Sequence, residues 1–79
     1  MTKTTLLEQA VREQLDRYFA DLGDAQPRDL LSMVLTCVER PVLQIALEKT
    51  RGNQSRAAEM LGITRATLRR KLIAHEIRP

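Results

Sequence analysis

Twelve of the eighteen residues from Leu30 to Leu47 are apolar, and this segment limits what the chain can fold into more than any other. Ser32, Thr36, Arg40 and Gln44 recur at every fourth position. On a helix they form one narrow polar stripe, and nearly all of the remaining circumference is apolar. Such a helix has to be covered on most sides. The chain has 79 residues, and a domain of that size buries only roughly 60% of the surface its unfolded form exposes. The other residues cannot supply the cover. The pattern therefore predicts a homodimer, with Leu30, Val34, Val38, Pro41 and Ile45 in a core shared by two copies. Pro41 lacks a backbone donor, so the helix is expected to kink there, the alternative being two short helices that meet at the proline.

Other ways of stabilising so small a chain are absent from the sequence. Cys37 is the single cysteine and His75 the single histidine, so neither an internal disulfide nor a zinc site is expected, and no metal or cofactor. No run approaches eighteen consecutive apolar residues, and no basic segment with an apolar run opens the chain. These features predict no membrane partner and a cytoplasmic location. Two aromatics and no tryptophan argue against a surface that stacks single-stranded bases. Glu8, Asp16 and Glu39 lie on amphipathic helices, and no spacing of Ser, Cys, His or acid suggests a triad, so an enzyme is not expected. His75 reads as a surface or phosphate-side residue, Cys37 as a buried inert thiol, and Tyr18 and Phe19 as packing.

The rest of the chain reads as helices. Leu7, Val11, Leu15, Tyr18 and Leu22 make one apolar stripe, preceded by a Thr5–Glu8 capping box and stopped by Gly23. Residues 1–4 are expected to be frayed. A second helix starts near Arg28 or Asp29 and ends at Gly52. Asn53 caps a short third helix, Gly62 makes a tight turn, and Thr64 caps a fourth. Small Ala57 and Ala58 allow close helix approach, and Leu68 and Leu72 dock the last helix inward. Two helices joined by a short glycine-containing turn form a helix-turn-helix. The fold class is all-α, a single domain over 1–79, with dimerisation helices in 5–51 and a DNA-binding unit in 53–75.

Charge points the same way. Residues 1–40 hold 5 basic and 7 acidic side chains, a balance of −2, whereas residues 41–79 hold 8 and 3, a balance of +5. The positive half contains the helix-turn-helix, as expected if that half meets a polyanion. Helical projection sets Ala66 and Arg70 roughly opposite Leu68, with Arg69 and Ile73 beside them. Arg65 projects from the first turn, where an arginine can donate two hydrogen bonds to guanine O6 and N7. Thr64, Thr67 and the free amides of the helix start can hold phosphate oxygens.

The run Thr50-Arg51-Gly52-Asn53-Gln54-Ser55-Arg56-Ala57-Ala58, followed by Met60, Gly62-Ile63, Arg65 and Thr67-Leu68-Arg69, resembles the family of the factor for inversion stimulation. These are bacterial nucleoid-associated proteins that bend DNA. The resemblance extends over about residues 6–77 and includes Tyr18-Phe19 and Pro41. It implies an intertwined homodimer built on the first two helices, with paired helix-turn-helix units on double-stranded DNA. It implies phosphate contacts for Arg51, Asn53, Ser55, Thr67, Arg69 and Lys71, and base or groove-edge contacts for Thr64, Arg65 and Arg70. It also implies a nucleoid location and a regulatory role in transcription, with RNA polymerase a candidate further partner. A recombinase partner is not expected, because the chain begins after the β-hairpin arm that serves it in the family. Thr64 stands where the family's longest-studied member has Asn, and Ile73 and Ala74 stand where it has lysines, which implies weaker contact with flanking DNA. Because enhancer-binding activators carry a similar C-terminal unit, a detached activator domain is the nearest alternative. A helical protein-binding adaptor is the alternative outside DNA binding.

Overall fold

Backbone turns divide the chain where the side chains dictate. The computed structural model describes residues 2–78, with side chains from residue 5 on. Four helices follow in order: α1 (Thr2–Leu22), α2 (Leu30–Lys49), α3 (Gln54–Leu61) and α4 (Arg65–Ala74). No strand occurs among the described residues, so the fold class is all-α, as expected.

α1 starts earlier than the capping signal implied. Thr5 lies a turn inside the helix and is not its cap, and the expected fraying of residues 2–4 is replaced by helix. Met1 lies outside the described residues. α2 begins after Asp29, which takes a left-handed conformation at φ 53 and makes no side-chain capping bond. A short polar side chain makes Asp one of the few non-glycine residues that tolerates this region. α2 runs through Pro41 as one helix, so the two-helix alternative is excluded. It ends in a tight reversal in which Arg51 and Gly52 are both left-handed, at φ 55 and 82. There the Gly52 amide donates to the Leu47 carbonyl at 2.8 Å, satisfying an acceptor the helix end leaves free.

The buried core lies at one end of the molecule. It consists of Leu43, Ala46 and Leu47 of α2, Ala57 and Ala58 of α3, and Leu68 and Leu72 of α4. Every expected docking residue of the helix-turn-helix is in it. Ala57 and Leu68 are completely sequestered, at 0% exposure, which is what a close helix crossing at an alanine requires. α2 packs on α3, and α3 on α4, while α1 has no comparable packing with any other helix. None of the described α1 side chains (residues 5–22) is buried, and Tyr18 and Phe19 pack edge to face on each other, with ring centroids 5.6 Å apart. The radius of gyration is 15.1 Å, against about 11.6 Å for a compact chain of this length.

Two features of α2 bear on what its sequence leads one to expect. By length and composition α2 is apolar enough to cross a membrane, although no unbroken apolar run marks it in the sequence. Glu39 and Arg40 lie at its middle among apolar neighbours. Cys37 is also not buried: in the single chain it is exposed, on a groove between α1 and α2.

Candidate nucleic-acid interface

The turn between α3 and α4 is set by backbone bonds that only a glycine makes without strain. Gly62 sits at φ 76 and donates to the Ala58 and Glu59 carbonyls, and the Ile63 amide donates to the Ala58 carbonyl at 3.1 Å. A Cβ at Gly62 would meet no atom within 4 Å, so the requirement for glycine there is conformational and not steric. Both flanking helices start on side-chain caps. Asn53 Oδ1 accepts from the Arg56 amide at 3.0 Å, and Thr64 Oγ1 accepts from the Thr67 amide at 3.1 Å.

With Leu68 and Leu72 docked inward, the opposite side of α4 faces solvent. Arg65, Ala66, Arg69, Arg70 and Ile73 line one shallow recess there, and all five are exposed. Three guanidinium groups thus surround two apolar side chains on a surface with no acidic residue. The start of the helix is ordered by a chain of side-chain bonds. Thr64 Oγ1 donates to Thr67 Oγ1 at 2.9 Å, and Arg70 Nη2 donates to the same Thr67 oxygen at 3.3 Å. Thr64, Thr67 and Arg70, separate expectations from the sequence, form one hydrogen-bonded group. Asn53 and Ser55 are exposed at the start of α3, and Arg51 is exposed in the reversal before it. Arg56 is exposed in the first turn of α3 as well. It carried no assigned role in the sequence, where it reads as one more basic residue, and only its place beside the Asn53 cap brings it to this surface.

Lys71 has a different environment from the other expected phosphate residues. Its Nζ lies 2.8 Å from Oε2 of Glu39, in the middle of α2. The other carboxylate oxygen, Oε1, lies 2.8 Å from His75 Nε2, and the Arg40 guanidinium donates to the His75 carbonyl. His75 is therefore no free surface residue: its side chain is 9% exposed. Glu39, set aside in the sequence as an ordinary helix carboxylate, turns out to bind two side chains at once. Nothing local could have revealed pairs separated by 32 and 36 positions.

The hydrogen bond from Lys71, and after it that with His75, holds the Glu39 carboxyl below its ordinary range. A carboxylate with a folded pKa below its unfolded value adds stability above the unfolded value. That stability is lost as pH falls through the folded pKa. The urea midpoint of the wild type should therefore exceed that of Glu39→Gln only slightly at neutral pH, because the pair is about a third exposed, and the small gap should close below pH 4.5. A gap that stays constant between about pH 7 and about pH 3 would show that the ionised carboxylate adds nothing.

Comparison with known proteins agrees with this geometry. Residues 34–75 match the family described as "Bacterial regulatory protein, Fis family". Over 69 residues the chain is 46% identical to a protein of Neisseria meningitidis serogroup A assigned as a Fis-like DNA-binding protein, covering 87% of each chain. A serogroup B protein with the same assignment matches equally well.

Proposed function

The chain belongs to the Fis family of bacterial regulatory proteins and carries its DNA-binding helix-turn-helix, and from that membership we propose a homodimer that binds and bends double-stranded DNA. The observation that carries the DNA reading is the solvent side of α4, where Arg65, Arg69 and Arg70 surround a recess beside the helix start. In this reading α4 enters the major groove. Arg65 reads guanine, with Arg70 and Thr64 at the groove edge. Thr67 and Arg69 hold phosphate, as do Asn53, Ser55 and Arg51 at the start of α3 and the reversal before it. The protein acts on the nucleoid as a regulator of transcription, and RNA polymerase is the partner that it meets on the same DNA.

The second copy is the occupant that the α1–α2 groove calls for. Leu7, Val11, Leu15, Val34, Val38 and Ile45 line about 680 Å³ of open apolar space, continuous along both helices. A bilayer is the poorer occupant for α2. Glu39 and Arg40 lie at the helix middle, where a charged side chain costs about 2.5–3.5 kcal/mol on insertion scales, and both are bound to His75.

Bending follows from the distance between two reading heads. Straight DNA offers successive major grooves about 34 Å apart. The family resemblance implies a shorter spacing, so the duplex must compress its central minor groove and curve towards the protein. Such a curve costs on the order of 1–6 kcal/mol, least at A·T-rich centres with flexible steps. Circular-permutation gel shifts on sites that differ only in the central base pairs test this. Retarded, position-dependent mobility with tighter binding of the A·T-rich centre is expected. An unbent complex with equal affinity for both centres would reduce the protein to a helix-turn-helix binder without bending.

A further inference from the structure

We propose that Glu39 is a positioning residue for DNA reading: it fixes the rotation of α4 on α2 through Lys71 and His75, and Lys71 acts through this contact and not on a phosphate. The inference rests on the DNA-binding reading above.

Packing alone leaves α4 under-determined. α2 packs closely on α3 and α3 on α4, so the recognition helix reaches the dimerisation helix mainly through α3. Leu68 and Leu72 bury their side chains in the shared core, but apolar contact is non-directional and allows a helix to roll about its axis. A carboxylate held at two points does not. Glu39 Oε2 lies 2.8 Å from Lys71 Nζ and Oε1 lies 2.8 Å from His75 Nε2, one helical turn further along. Attachment at positions i and i+4 sets both the roll and the axial position of α4. The Arg40 guanidinium adds a third point, at the carbonyl of His75, which caps α4. A cation at a helix C-terminus is favoured by the exposed carbonyls there.

The direction of Lys71 agrees. At 3.6 residues per turn, Lys71 projects about 60° from Leu68, on the core side of α4, whereas Ala66 and Arg70 project about 160° from it. Lys71 thus faces α2, not the surface that meets DNA. Its side chain and that of Glu39 are each 35% exposed, and an ion pair so exposed adds little to stability. Its effect should appear instead in the angle at which Arg65 is presented, and so in discrimination between sequences.

The test uses the full chain and two probes: the tightest duplex recovered by selection from a random pool, and the random pool itself. Lys71→Met and Glu39→Gln should each lower the selected-to-random affinity ratio about 5- to 10-fold while leaving the salt dependence of binding unchanged. A lysine on phosphate behaves differently, because its loss from both subunits flattens the log–log salt slope by about 2. The double variant Glu39→Lys, Lys71→Glu should recover part of the lost ratio, since the contact between positions 39 and 71 is re-formed with its charges exchanged while the bond to His75 is not. If Lys71 held a phosphate, the double variant would set a carboxylate against DNA and bind worse than either single change. A flattened slope in Lys71→Met, or failure of the exchanged pair to recover any of the lost ratio in a protein with wild-type circular dichroism, overturns the inference and leaves DNA binding intact. A wild type that binds neither probe overturns the DNA reading, and this inference with it.

Discussion

Val38→Asp is expected to abolish the dimer and, with it, tight DNA binding. The single chain exposes 6777 Å², whereas a compact protein of 9.0 kDa exposes about 4,850 Å². The excess of about 1,900 Å² per copy, about 3,800 Å² for two, falls in the range of obligate homodimer interfaces. Its location is equally specific. Val38 and Ile45 remain 40% and 52% exposed, and none of the described α1 side chains is buried, while the buried core lies at the helix-turn-helix end. A carboxylate at position 38 would enter the shared core without a partner, at a cost of several kcal/mol. Because small domains are stable by only about 5–15 kcal/mol, and this one has little core of its own, the variant should be monomeric and largely unfolded. Sedimentation equilibrium with circular dichroism at micromolar concentration measures both properties. A wild type that sediments as a folded monomer there would sink the dimer.

The same contrast explains how much of the molecule could be read beforehand. Asn53, Gly62 and Thr64 act on amides and carbonyls within five residues of themselves, so the caps and the turn of the helix-turn-helix were legible from spacing. Leu68 and Leu72 were legible for the same reason, being one turn apart on a helix with a polar opposite side. α1 was placed less well, because Thr5–Glu8 is a local signal that loses to continued helix when residues before it are also compatible. Asp29 shows the reverse: the residue was expected at a helix start, but its left-handed backbone was not. Glu39, Lys71 and His75 carry no such local signal. Each looks like an ordinary surface residue in its own segment, and only the tertiary crossing of α2 and α4 makes them partners. Cys37 is exposed in the single chain because the groove it lines is open there, and the second copy proposed for that groove would cover it.

DNA affinity should fall steeply as salt rises. Arg51 and Arg69 are the charged side chains assigned to phosphate, which gives ~4 charged contacts per dimer, and at ~0.9 released counterions per contact the log–log slope is about −4. Raising monovalent salt from about 50 to about 200 mM should then weaken binding on the order of 10²-fold. A helical protein-binding adaptor, the competing function, would show a slope near zero on DNA. Two arginines separate the kinds of contact within this total. Arg69 flanks the recess and is assigned to phosphate, so Arg69→Ala should weaken selected and random duplexes almost equally and flatten the slope by about 2 per dimer. Arg65 projects from the first turn of α4, beside the Thr64 cap, where the helix enters the groove. Arg65→Ala should cost about 1–3 kcal/mol per contacted guanine, which is roughly 5- to 150-fold for each, and should bear mainly on the selected duplex. Fluorescence anisotropy titrations at several salt concentrations, on both duplexes, give the slope and the ratio together. Equal losses on the two duplexes from Arg65→Ala would remove it as the base reader and leave the recess as a phosphate surface.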